Sequence, residues 1–487
     1  MKPILLASEM AKTDNLTIEK HNLPSLILME RAALSICEEI KLRFDNTHTI
    51  SIICGIGNNG ADGVALARML YLNNYKVNYI IIGNSNKYSN QMIEQLTTAK
   101  SYGLIPCDSL GKLPESDVIV DAVFGIGLCR EVSGDYEKAI NYINSSDSYI
   151  IACDIPSGIN ADTGKVLGTG VKANLTMTMA YLKKGLLLGD APNYCGEIKV
   201  CDVGIYLEEA DALSTSKLIT DDDIKQIPKR QKTANKGICG KVLVIAGSQE
   251  IYGACYFSAK AASRAGSGLV SIYTHPNNRT TIQAKLPEAM CNCYDKFNQD
   301  ELDKHMQWAD AIILGPGIST SELAEKIVCY VVANSKVPVV IDADGINIIS
   351  KNLSILKNAA AQIIITPHLK EMSRLTKLDV TSINYDMENT ASSFAKNYNC
   401  TVVLKNHTSI VATPNGDTYY INSGNEALAT AGSGDVLAGI IGSLLGQGLE
   451  AEKAATLGAY SHGKAGSLAS LKTGINGLLA SDIIDYI

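Results

Sequence analysis

Several features that define common protein classes are missing from this sequence. The longest apolar run, Val436–Leu445, is interrupted by glycine and serine and is far shorter than the roughly 18 residues of a membrane span. The 13 cysteines form no CxxC pair and no cluster with histidine, which argues against a disulfide framework and against a zinc site. Basic residues (43) do not outnumber acidic ones (50), so the net charge of −7 does not favour binding to nucleic acid or to an anionic membrane.

Length and composition indicate a soluble globular protein of two or more domains. Its 487 residues exceed the roughly 250–300 at which a single hydrophobic core stops growing. Hydrophobic residues make up 46% and charged residues 19%, which excludes a disordered or collagen-like chain. The apolar stretch before Glu9 is too short for a signal peptide. We therefore expect a cytoplasmic protein whose cysteines are mostly buried and reduced.

Short β-branched runs alternate with amphipathic stretches from residue 49 onwards, after a helical segment over residues 8–44. This alternation is typical of βαβ units and predicts a parallel sheet. It is interrupted by a polar stretch over about 208–237 and then restarts, so we place a boundary near 215 and predict domains 1–215 and 216–487. The last three apolar runs are separated by short turns and predict antiparallel pairing at a sheet edge.

A glycine-rich loop, residues 55–63, follows a predicted strand and opens a predicted helix. Glycine lets the backbone approach a phosphate closely, and a helix N-terminus offers free N–H groups to it. The loop therefore suits phosphate or nucleotide binding, although a simple tight turn has the same composition. No P-loop GK[ST] motif is present.

Two aspartates, Asp121 and Asp154, end consecutive predicted strands. Ligand sites in open α/β sheets lie at those strand ends, so we expect both carboxylates to share a crevice with Asn59 and Ser157. An oxygen-rich cluster of this kind suits a hard cation or an acid/base pair. The alternatives are that each aspartate caps its own loop, and that the nearby Arg130 lies at the surface instead of pairing with a substrate phosphate.

The motifs GxGNNGxDG, DAxFGxGLxR and DIPSG resemble the YjeF N-terminal domain, an NAD(P)H-hydrate epimerase, across about residues 8–210. The resemblance implies a Rossmann-like parallel-sheet domain with Asp154 as the acid/base residue. It also implies a K⁺ site formed by Asn59, Asp121 and Ser157. Ala61 departs from the family, which usually has glycine there. The residues that the resemblance implies for hydrate binding are Asn58, Asn59, Gly60, Ala61, Asp62, Gly125, Ile126, Gly127, Leu128, Cys129, Arg130, Glu131 and Asp154.

In the second half, a loop of small residues over 431–434 leads into an apolar helix with Asp435 in its first turn. Free N–H groups and the helix dipole can stabilise a phosphoryl group in transfer, while Asp435 is placed to take a proton from a hydroxyl. A helix-capping role for Asp435 is the alternative. Gly315–Gly317, Thr366–His368 and Lys405–Ser409 also sit at predicted strand ends, although His368 alone suits a loop hydrogen bond and Lys405 alone a solvated cation.

Together these motifs resemble the ribokinase-like superfamily, and more narrowly the YjeF C-terminal domain, an ADP-dependent NAD(P)H-hydrate dehydratase, across about residues 230–487. The resemblance implies Asp435 as the base and Mg²⁺ with ADP as co-substrate. Leu369–Lys370 and Asn406 depart from the family pattern. The implied hydrate site is Ala254, Gly317, His368 and Asp435. The implied adenine-nucleotide site is Lys405, Asn406, His407, Thr408, Ser409, Asn425, Gly432, Ser433 and Gly434.

The sequence thus predicts an enzyme that repairs hydrated nicotinamide cofactors, with an epimerase and a dehydratase in one chain. The expected partners are the NADH and NADPH hydrates and ADP, in a homo-oligomer that binds neither nucleic acid nor membrane. One alternative is an ATP-dependent kinase of a small vitamin-like metabolite, which would use the same phosphoryl-transfer motif. Another is that the first half is a non-catalytic nucleotide-binding module.

Overall fold

The structure is a computed structural model that describes residues 1–205, 213–214 and 216–487. The chain divides into two compact units, which we call the first unit (Pro3–Thr215) and the second unit (Ser216–Ile487 together with Met1–Lys2). Position 215, where the sequence places the domain boundary, lies outside the described residues.

The first unit is built on a parallel six-stranded sheet with the strand order β3-β2-β4-β5-β6-β8. A separate parallel pair joins β1 to β7. The sequence did not reveal β8, because only its last residue is buried and it therefore lacks an apolar pattern. The strands of this unit are β1 (Lys2–Leu5), β2 (Thr49–Cys54), β3 (Lys76–Ile81), β4 (Val118–Ala122), β5 (Tyr149–Cys153), β6 (Leu175–Met179), β7 (Leu182–Lys183) and β8 (Glu197–Cys201).

Helices cover both faces of this sheet. Successive strand residues point to opposite faces, and Ile52 packs in one core cluster while Ile53 packs in the other. Residues of α2, α3 and α4 complete the first cluster, and residues of α5 complete the second. The helices are α1 (Ala7–His21), α2 (Ser25–Arg43), α3 (Asn58–Leu72), α4 (Asn90–Ser101) and α5 (Asp135–Asn144). The predicted helical segment before the first β-branched run is thus two helices, separated near Pro24.

Ten strands of the second unit pair side by side in the order β12-β11-β10-β13-β14-β15-β16-β17-β18-β9. The strands from β12 to β16 pair in parallel, and β16, β17 and β18 pair antiparallel as the sequence predicts. The predicted edge position is wrong, because β9 pairs with β18 and extends the sheet. The strands are β9 (Ser216–Leu218), β10 (Lys241–Ile245), β11 (Leu269–Thr274), β12 (Met290–Cys293), β13 (Ala311–Leu314), β14 (Val339–Ile341), β15 (Ile363–Ile365), β16 (Thr401–Leu404), β17 (Ser409–Ala412) and β18 (Thr418–Ile421).

The largest core of the second unit lies between this sheet and the helices α6, α15, α16 and α17. The apolar helix predicted after the small-residue loop is α15, and eleven of its 14 residues are buried, so it is enclosed on nearly all sides. The helices of the unit are α6 (Gly253–Arg264), α7 (Arg279–Lys285), α8 (Gln299–Trp308), α9 (Glu322–Asn334), α10 (Asp344–Ile349), α11 (Ser354–Lys357), α12 (Leu369–Thr376), α13 (Val380–Tyr385), α14 (Met387–Tyr398), α15 (Ser433–Gly446), α16 (Ala451–Thr473) and α17 (Ala480–Asp485).

In the described ranges, no helix is both long enough and apolar enough to span a membrane. All 13 cysteines lie in these ranges and all are free thiols, of which seven are buried and only Cys129 is exposed. The cysteines therefore serve mainly as small apolar side chains, as the composition indicates.

Candidate active sites

The first unit contains a cleft of about 900 Å³ at the carboxyl ends of its strands. Ten of the thirteen residues predicted to bind the hydrate line it. These residues are Asn58, Asn59, Asp62, Gly125, Ile126, Gly127, Leu128, Cys129, Arg130 and Asp154. Gly60 and Ala61 are buried and do not line the cleft. Glu131 is exposed and does not line it either.

The glycine-rich loop is shorter than the sequence indicates, because α3 begins at Asn58 and takes in most of the motif. Gly57 is the N-cap residue, and no side chain caps this helix N-terminus. Gly55, Gly57 and Gly60 have GxGxxG spacing, and a Cβ on Gly60 would lie 2.0 Å from the carbonyl oxygen of Gly55. The motif therefore lets backbone pack on backbone and leaves free N–H groups of α3 for an anion.

Asp154 follows β5 and is buried, with a φ of +68°. Its Oδ1 atom accepts three hydrogen bonds, from Lys183 Nζ at 2.6 Å, the backbone N–H of Met179 at 3.1 Å and Thr178 Oγ1 at 3.2 Å. The Oδ2 atom has no hydrogen-bond partner among the described residues. One oxygen of this carboxylate is thus held by the protein, and the other is left for a ligand in the cleft.

Two more carboxyl groups line the same cleft, Asp14 from α1 and Asp62 from α3. Burial is the largest cause of a raised pKa at both groups. It raises the pKa of Asp14 to about 6, with Lys183 opposing and Asp154 adding to the shift. It raises the pKa of Asp62 well above its usual value, and the charges of Asp154 and Asp14 add to the shift. Two carboxyl groups that release their protons less readily than an exposed aspartate therefore stand beside the ion-paired Asp154.

The other strand-end aspartate, Asp121, lies beneath the cleft and is fully buried. It accepts hydrogen bonds from Ser157 Oγ at 2.6 Å and Ser157 N–H at 2.7 Å, and it forms no ion pair among the described residues. Burial raises its pKa to about 6, while the bonds from Ser157 oppose the shift. Asn59 lies against Gly125, and its buried amide nitrogen has no hydrogen-bond partner in the described part of the chain.

In the second unit, Asp435 is at the third position of α15, whose N-terminus again has a glycine N-cap and no side-chain cap. Its carboxyl group has no hydrogen bond or ion pair within the described ranges. Burial raises the pKa of Asp435 to about 7, with a further contribution from Asp342, while Lys405 opposes the shift. The group can therefore gain and lose a proton near neutral pH, as a general base must.

Lys405 donates to Asp342 Oδ1 at 2.9 Å, and Thr366 Oγ1 donates to the same oxygen at 2.6 Å. Burial lowers the pKa of Lys405, but the carboxylates of Asp342 and Glu371 outweigh it and raise the pKa overall. A Cβ on Gly434 would lie 3.3 Å from Lys405 Nζ, so the first turn of α15 passes directly over the ion pair. The ammonium group and this helix N-terminus provide local positive potential in an acidic protein.

Of the four residues predicted to bind the hydrate in the second unit, two are in direct contact, Ala254 and Gly317. A Cβ on Gly317 would lie 2.9 Å from that of Ala254, so the two residues touch. His368 caps α12 through Nδ1, which accepts from the N–H groups of Lys370 and Glu371. An isolated parallel β-bridge pairs the backbone of His368 with that of Lys405, the residue after β16. His368 is thus a helix cap, one of the two roles that its position suggests.

The predicted nucleotide residues occupy two loops. Asn406 and His407 are exposed, and Asn406 donates its amide to Asn384 Oδ1 at 2.8 Å. Asn425 accepts from the N–H of Ala427 and donates to Ser470 Oγ, so it fixes the loop that precedes α15. Thr408 is buried, and its Oγ1 donates to Asn422.

Gly432 has a φ of +86° and begins the turn into α15. Beside it, Ser433 Oγ is 3.1 Å from Nε2 of the buried His462 on α16. Burial lowers the pKa of His462 to about 4, with Lys405 adding to the shift, so this imidazole is neutral at physiological pH.

Sequence reasoning missed four residues of these two sites: Asp14, Lys183, Asp342 and His462. Asp342 follows an apolar strand in the same way as Asp154, so the strand-end rule would have found it. The other three lie on helices or on a two-residue strand and carry no local motif. Within the described ranges, no cluster of three or more His, Cys, Asp or Glu residues is arranged to hold a metal ion.

Comparisons with known proteins match both units. Residues 242–487 match the family described as NAD(P)H-hydrate dehydratase, and residues 25–185 match the family described as YjeF-related protein N-terminus.

Two curated relatives, both described as bifunctional NAD(P)H-hydrate repair enzymes, match nearly the whole chain. The one from Moorella thermoacetica is 32% identical and covers 99% of this chain and 96% of its own length. The one from Coxiella burnetii is 34% identical and covers 94% of this chain and 93% of its own. A solved ADP/ATP-dependent NAD(P)H-hydrate dehydratase from Bacillus subtilis, co-crystallised with ATP and Mg²⁺, is 27% identical with a TM-score of 0.50. That match covers 55% of this chain and 95% of the solved chain.

Proposed function

Because the chain belongs to the family of bifunctional NAD(P)H-hydrate repair enzymes, we propose that it restores hydrated NADH and NADPH in two reactions. The first unit interconverts the R and S hydrates, and the second unit dehydrates the S form at the expense of ADP. The observation that carries this proposal is the partly buried carboxyl group of Asp435, which has no partner among the described residues and lies at an uncapped helix N-terminus, where a base and a phosphoryl site coincide.

In the first unit, Asp154 performs the acid/base step with its Oδ2 atom, because Oδ1 is occupied by Lys183, Thr178 and Met179. The N-terminus of α3 and the 125–130 segment hold the dinucleotide phosphates through backbone N–H groups and Arg130. Asn58, Asn59 and Asp62 contact the ring and ribose, whereas Gly60, Ala61 and Glu131 shape the surrounding backbone.

A K⁺ ion beside Asp121, Ser157 and Asn59 fits the chemistry of those side chains. The buried Asp121 carboxylate forms no ion pair with any described residue, and a cation would offset the cost of burying its charge. Ser157 supplies a hydroxyl oxygen and Asn59 an amide oxygen, both of which are suitable hard ligands. The ion would fix the Phe124–Gly125 turn, because the N–H of Phe124 donates to Ser157 Oγ at 2.8 Å.

In the second unit, Asp435 takes the proton of the ring hydroxyl, which then attacks the β-phosphorus of ADP and leaves AMP. Phosphate then leaves the ring carbon with the electron pair of the C–O bond, because it is a far better leaving group than hydroxide. The adjacent ring carbon loses a proton to the departing phosphate, and the double bond re-forms. Ala254, Gly317 and His368 hold the hydrate against Asp435. The loops 405–409 and 425–434 hold ADP, with Lys405 and the N–H groups of Ser433 and Gly434 at its phosphates.

A Mg²⁺ ion fits beside Asp342, whose Oδ2 atom has no hydrogen-bond partner in the described residues. Mg²⁺ commonly binds one or two protein carboxylates together with substrate phosphates. This agrees with the absence of a larger metal-binding cluster from the described part of the chain. When bound, the ion would neutralise charge on the phosphates.

The decisive experiment follows the return of reduced-nicotinamide absorbance from a mixture of both NADH hydrate epimers, with ADP, with ATP and with neither. Full recovery with ADP is expected, since dehydration of the S form alone would stop once that form is consumed. A stall near half recovery would contradict the epimerase. No recovery with either nucleotide, or a stable phosphorylated product, would instead indicate the metabolite kinase. The expected homo-oligomeric state remains a prediction.

A further inference from the structure

The ammonium group of Lys183 has no hydrogen left to offer to the cleft of the first unit. Its side chain is 1% exposed, and it donates to Asp154 Oδ1 at 2.6 Å, to the carbonyl oxygen of Met179 at 2.7 Å and to Thr178 Oγ1 at 3.0 Å. An ammonium group has three donors, and all three are used here. Lys183 therefore serves Asp154 alone among the carboxyl groups of the cleft.

Asp14 and Asp62 have no hydrogen bond or ion pair to any described residue, although both line the cleft. The remaining titratable groups that line it are Cys129, Arg130 and Asp154, and α2 contributes none. Arg130 is exposed and stands on the segment after β4. Three carboxyl groups thus surround a cavity with a single buried cation, and only Asp154 is paired with it. A partly buried carboxyl group without a counter-ion is costly as an anion, which raises its pKa and favours the acid form.

We propose that Asp14 is the general acid of the epimerase, working opposite Asp154 across the ring of the bound hydrate. This rests on the epimerase function proposed above. Asp14 lies in the middle of α1 and lines the cleft, and its carboxyl group has no hydrogen bond or ion pair within the described part of the chain. Epimerisation needs such a second group, because a proton must be delivered on one face of the ring carbon and removed on the other.

Asp62 is less suited to that role. It lies on α3, the helix whose N-terminus we assign to the dinucleotide phosphates, whereas Asp14 lies on a separate helix, α1. Burial raises the pKa of Asp14 to about 6, so this group can give and recover a proton near neutral pH. We therefore assign Asp62 to binding and Asp14 to proton transfer.

The chemistry follows from the substrate. Water adds to the enamine double bond of a reduced nicotinamide at the carbon bonded to the ring nitrogen, whose lone pair stabilises a cation there. Asp14 donates its proton to that hydroxyl, the C–O bond breaks with its electron pair leaving in water, and the nitrogen lone pair forms an iminium. Water then adds on the opposite face and loses a proton to Asp154 Oδ2. Asp14 is then ionised and Asp154 is protonated. Conversion in the opposite direction returns both groups to their starting protonation.

The test compares Asp14→Asn, Asp154→Asn and Glu19→Gln in the full-length enzyme. Glu19 lies on α1 like Asp14 but is exposed and does not line the cleft, so its carboxyl-to-amide variant is the matched control. Rates of R-to-S conversion are measured from purified R hydrate without ADP. Asp14→Asn and Asp154→Asn should each slow conversion by ~10²–10⁴-fold, the range for loss of an acid or base, while Glu19→Gln should stay within about threefold.

Two further readouts separate proton transfer from a structural role. The wild-type rate should decline at high pH as Asp14 loses its proton, and the residual rate of Asp14→Asn should lack that decline. Epimerisation in H₂¹⁸O should introduce one labelled oxygen per inversion, because the C–O bond breaks. Hydrate binding by Asp14→Asn should match that of the wild type, and its unfolding midpoint at neutral pH should be no lower than that of the wild type, because a carboxyl group with a raised pKa costs stability once it ionises.

Retention of the wild-type rate and pH profile by Asp14→Asn would overturn the role of Asp14, and inversion without ¹⁸O uptake would overturn the C–O cleavage step. Both results leave the epimerase itself intact. Absence of epimerisation in the wild-type enzyme would instead contradict the proposed function.

Discussion

The two clefts share a frame and differ in how each one treats its principal carboxylate. In both units a glycine caps the helix N-terminus beside the site and no side chain competes for its free N–H groups. In the first unit Lys183 pairs with Asp154 itself. In the second unit Lys405 pairs with Asp342, and Asp435 has no hydrogen bond or ion pair to any residue that the structure describes.

This difference matches the two reactions. Reversible epimerisation requires an acid and a base at once, which the ion-paired Asp154 and the proposed acid Asp14, unpaired among the described residues, can provide together. Phosphoryl transfer requires one base beside a positive site for phosphate, which Asp435 and Lys405 provide if they are not bonded to each other. The two sites therefore differ in which carboxylate the lysine pairs with: Lys183 pairs with the proposed catalytic Asp154, whereas Lys405 pairs with Asp342, a neighbour of the proposed base.

The largest effect is expected from Asp435→Asn, which removes the base and keeps the volume of the side chain. ADP-dependent dehydration of purified S hydrate should fall by ~10²–10⁴-fold. Epimerisation by the same preparation serves as the internal control and should be unchanged. Dehydration within a few-fold of the wild-type rate would show that Asp435 is not the base and would remove the contrast between the clefts.

Lys183→Met should strongly destabilise the first unit, because it leaves the buried Asp154 carboxylate without its counter-ion. Breaking one side of a buried pair costs about 3–5 kcal/mol in the free energy of unfolding. The control is Lys199→Met, since Lys199 is half exposed and pairs with Glu39, and such a change costs at most about 1 kcal/mol. Urea unfolding of both variants measures the difference. Equal effects would show that the Lys183 pair has no special role.

The pH dependence of dehydration should follow Asp435, whose pKa is raised from 3.8 to about 7, mainly by burial. The base must be ionised, so kcat/KM for the S hydrate should rise through about pH 7 and level off above it. Stability changes in the opposite sense: a raised pKa means that this group costs stability as pH rises from 3.8 through 7. Asp435→Asn should therefore raise the unfolding midpoint above pH 7 and change it little below pH 4. A flat activity profile would contradict the assignment.

The smallest effect is expected at His462, which holds the hydroxyl of Ser433 at the start of α15. Loss of one hydrogen bond costs about 1 kcal/mol, so His462→Ala should lower kcat/KM for dehydration about fivefold. The defect should not depend on pH near neutrality, because the pKa of His462 is lowered to about 4 and the imidazole is already neutral. Ser433→Ala should cause a similar loss, and the double variant should add little to it. Additive losses would show that the two residues act independently.

Most strands and helices could be predicted from the sequence, because the local periodicity of apolar residues indicates them. The β-branched runs identified the central strands of both sheets, and the glycine-rich segments marked the starts of α3 and α15. Short or half-exposed strands were missed: β9 has three residues and lies beside a polar stretch. Its pairing with β18, and hence the true extent of the second sheet, depends on a contact between distant parts of the chain.

The sequence by itself determined which carboxylates stand at strand ends, because a strand and the residue that follows it are adjacent in the chain. It therefore indicated Asp121 and Asp154 as candidates, while the small-residue loop before α15 indicated Asp435. Only the tertiary structure decided their electrostatic surroundings: Lys183 bonds to Asp154, Asp14 joins the same cleft from α1, and Lys405 bonds to Asp342 and not to Asp435. Burial and ion pairing depend on which distant segments pack together, and these contacts set the protonation behaviour on which each proposed reaction depends.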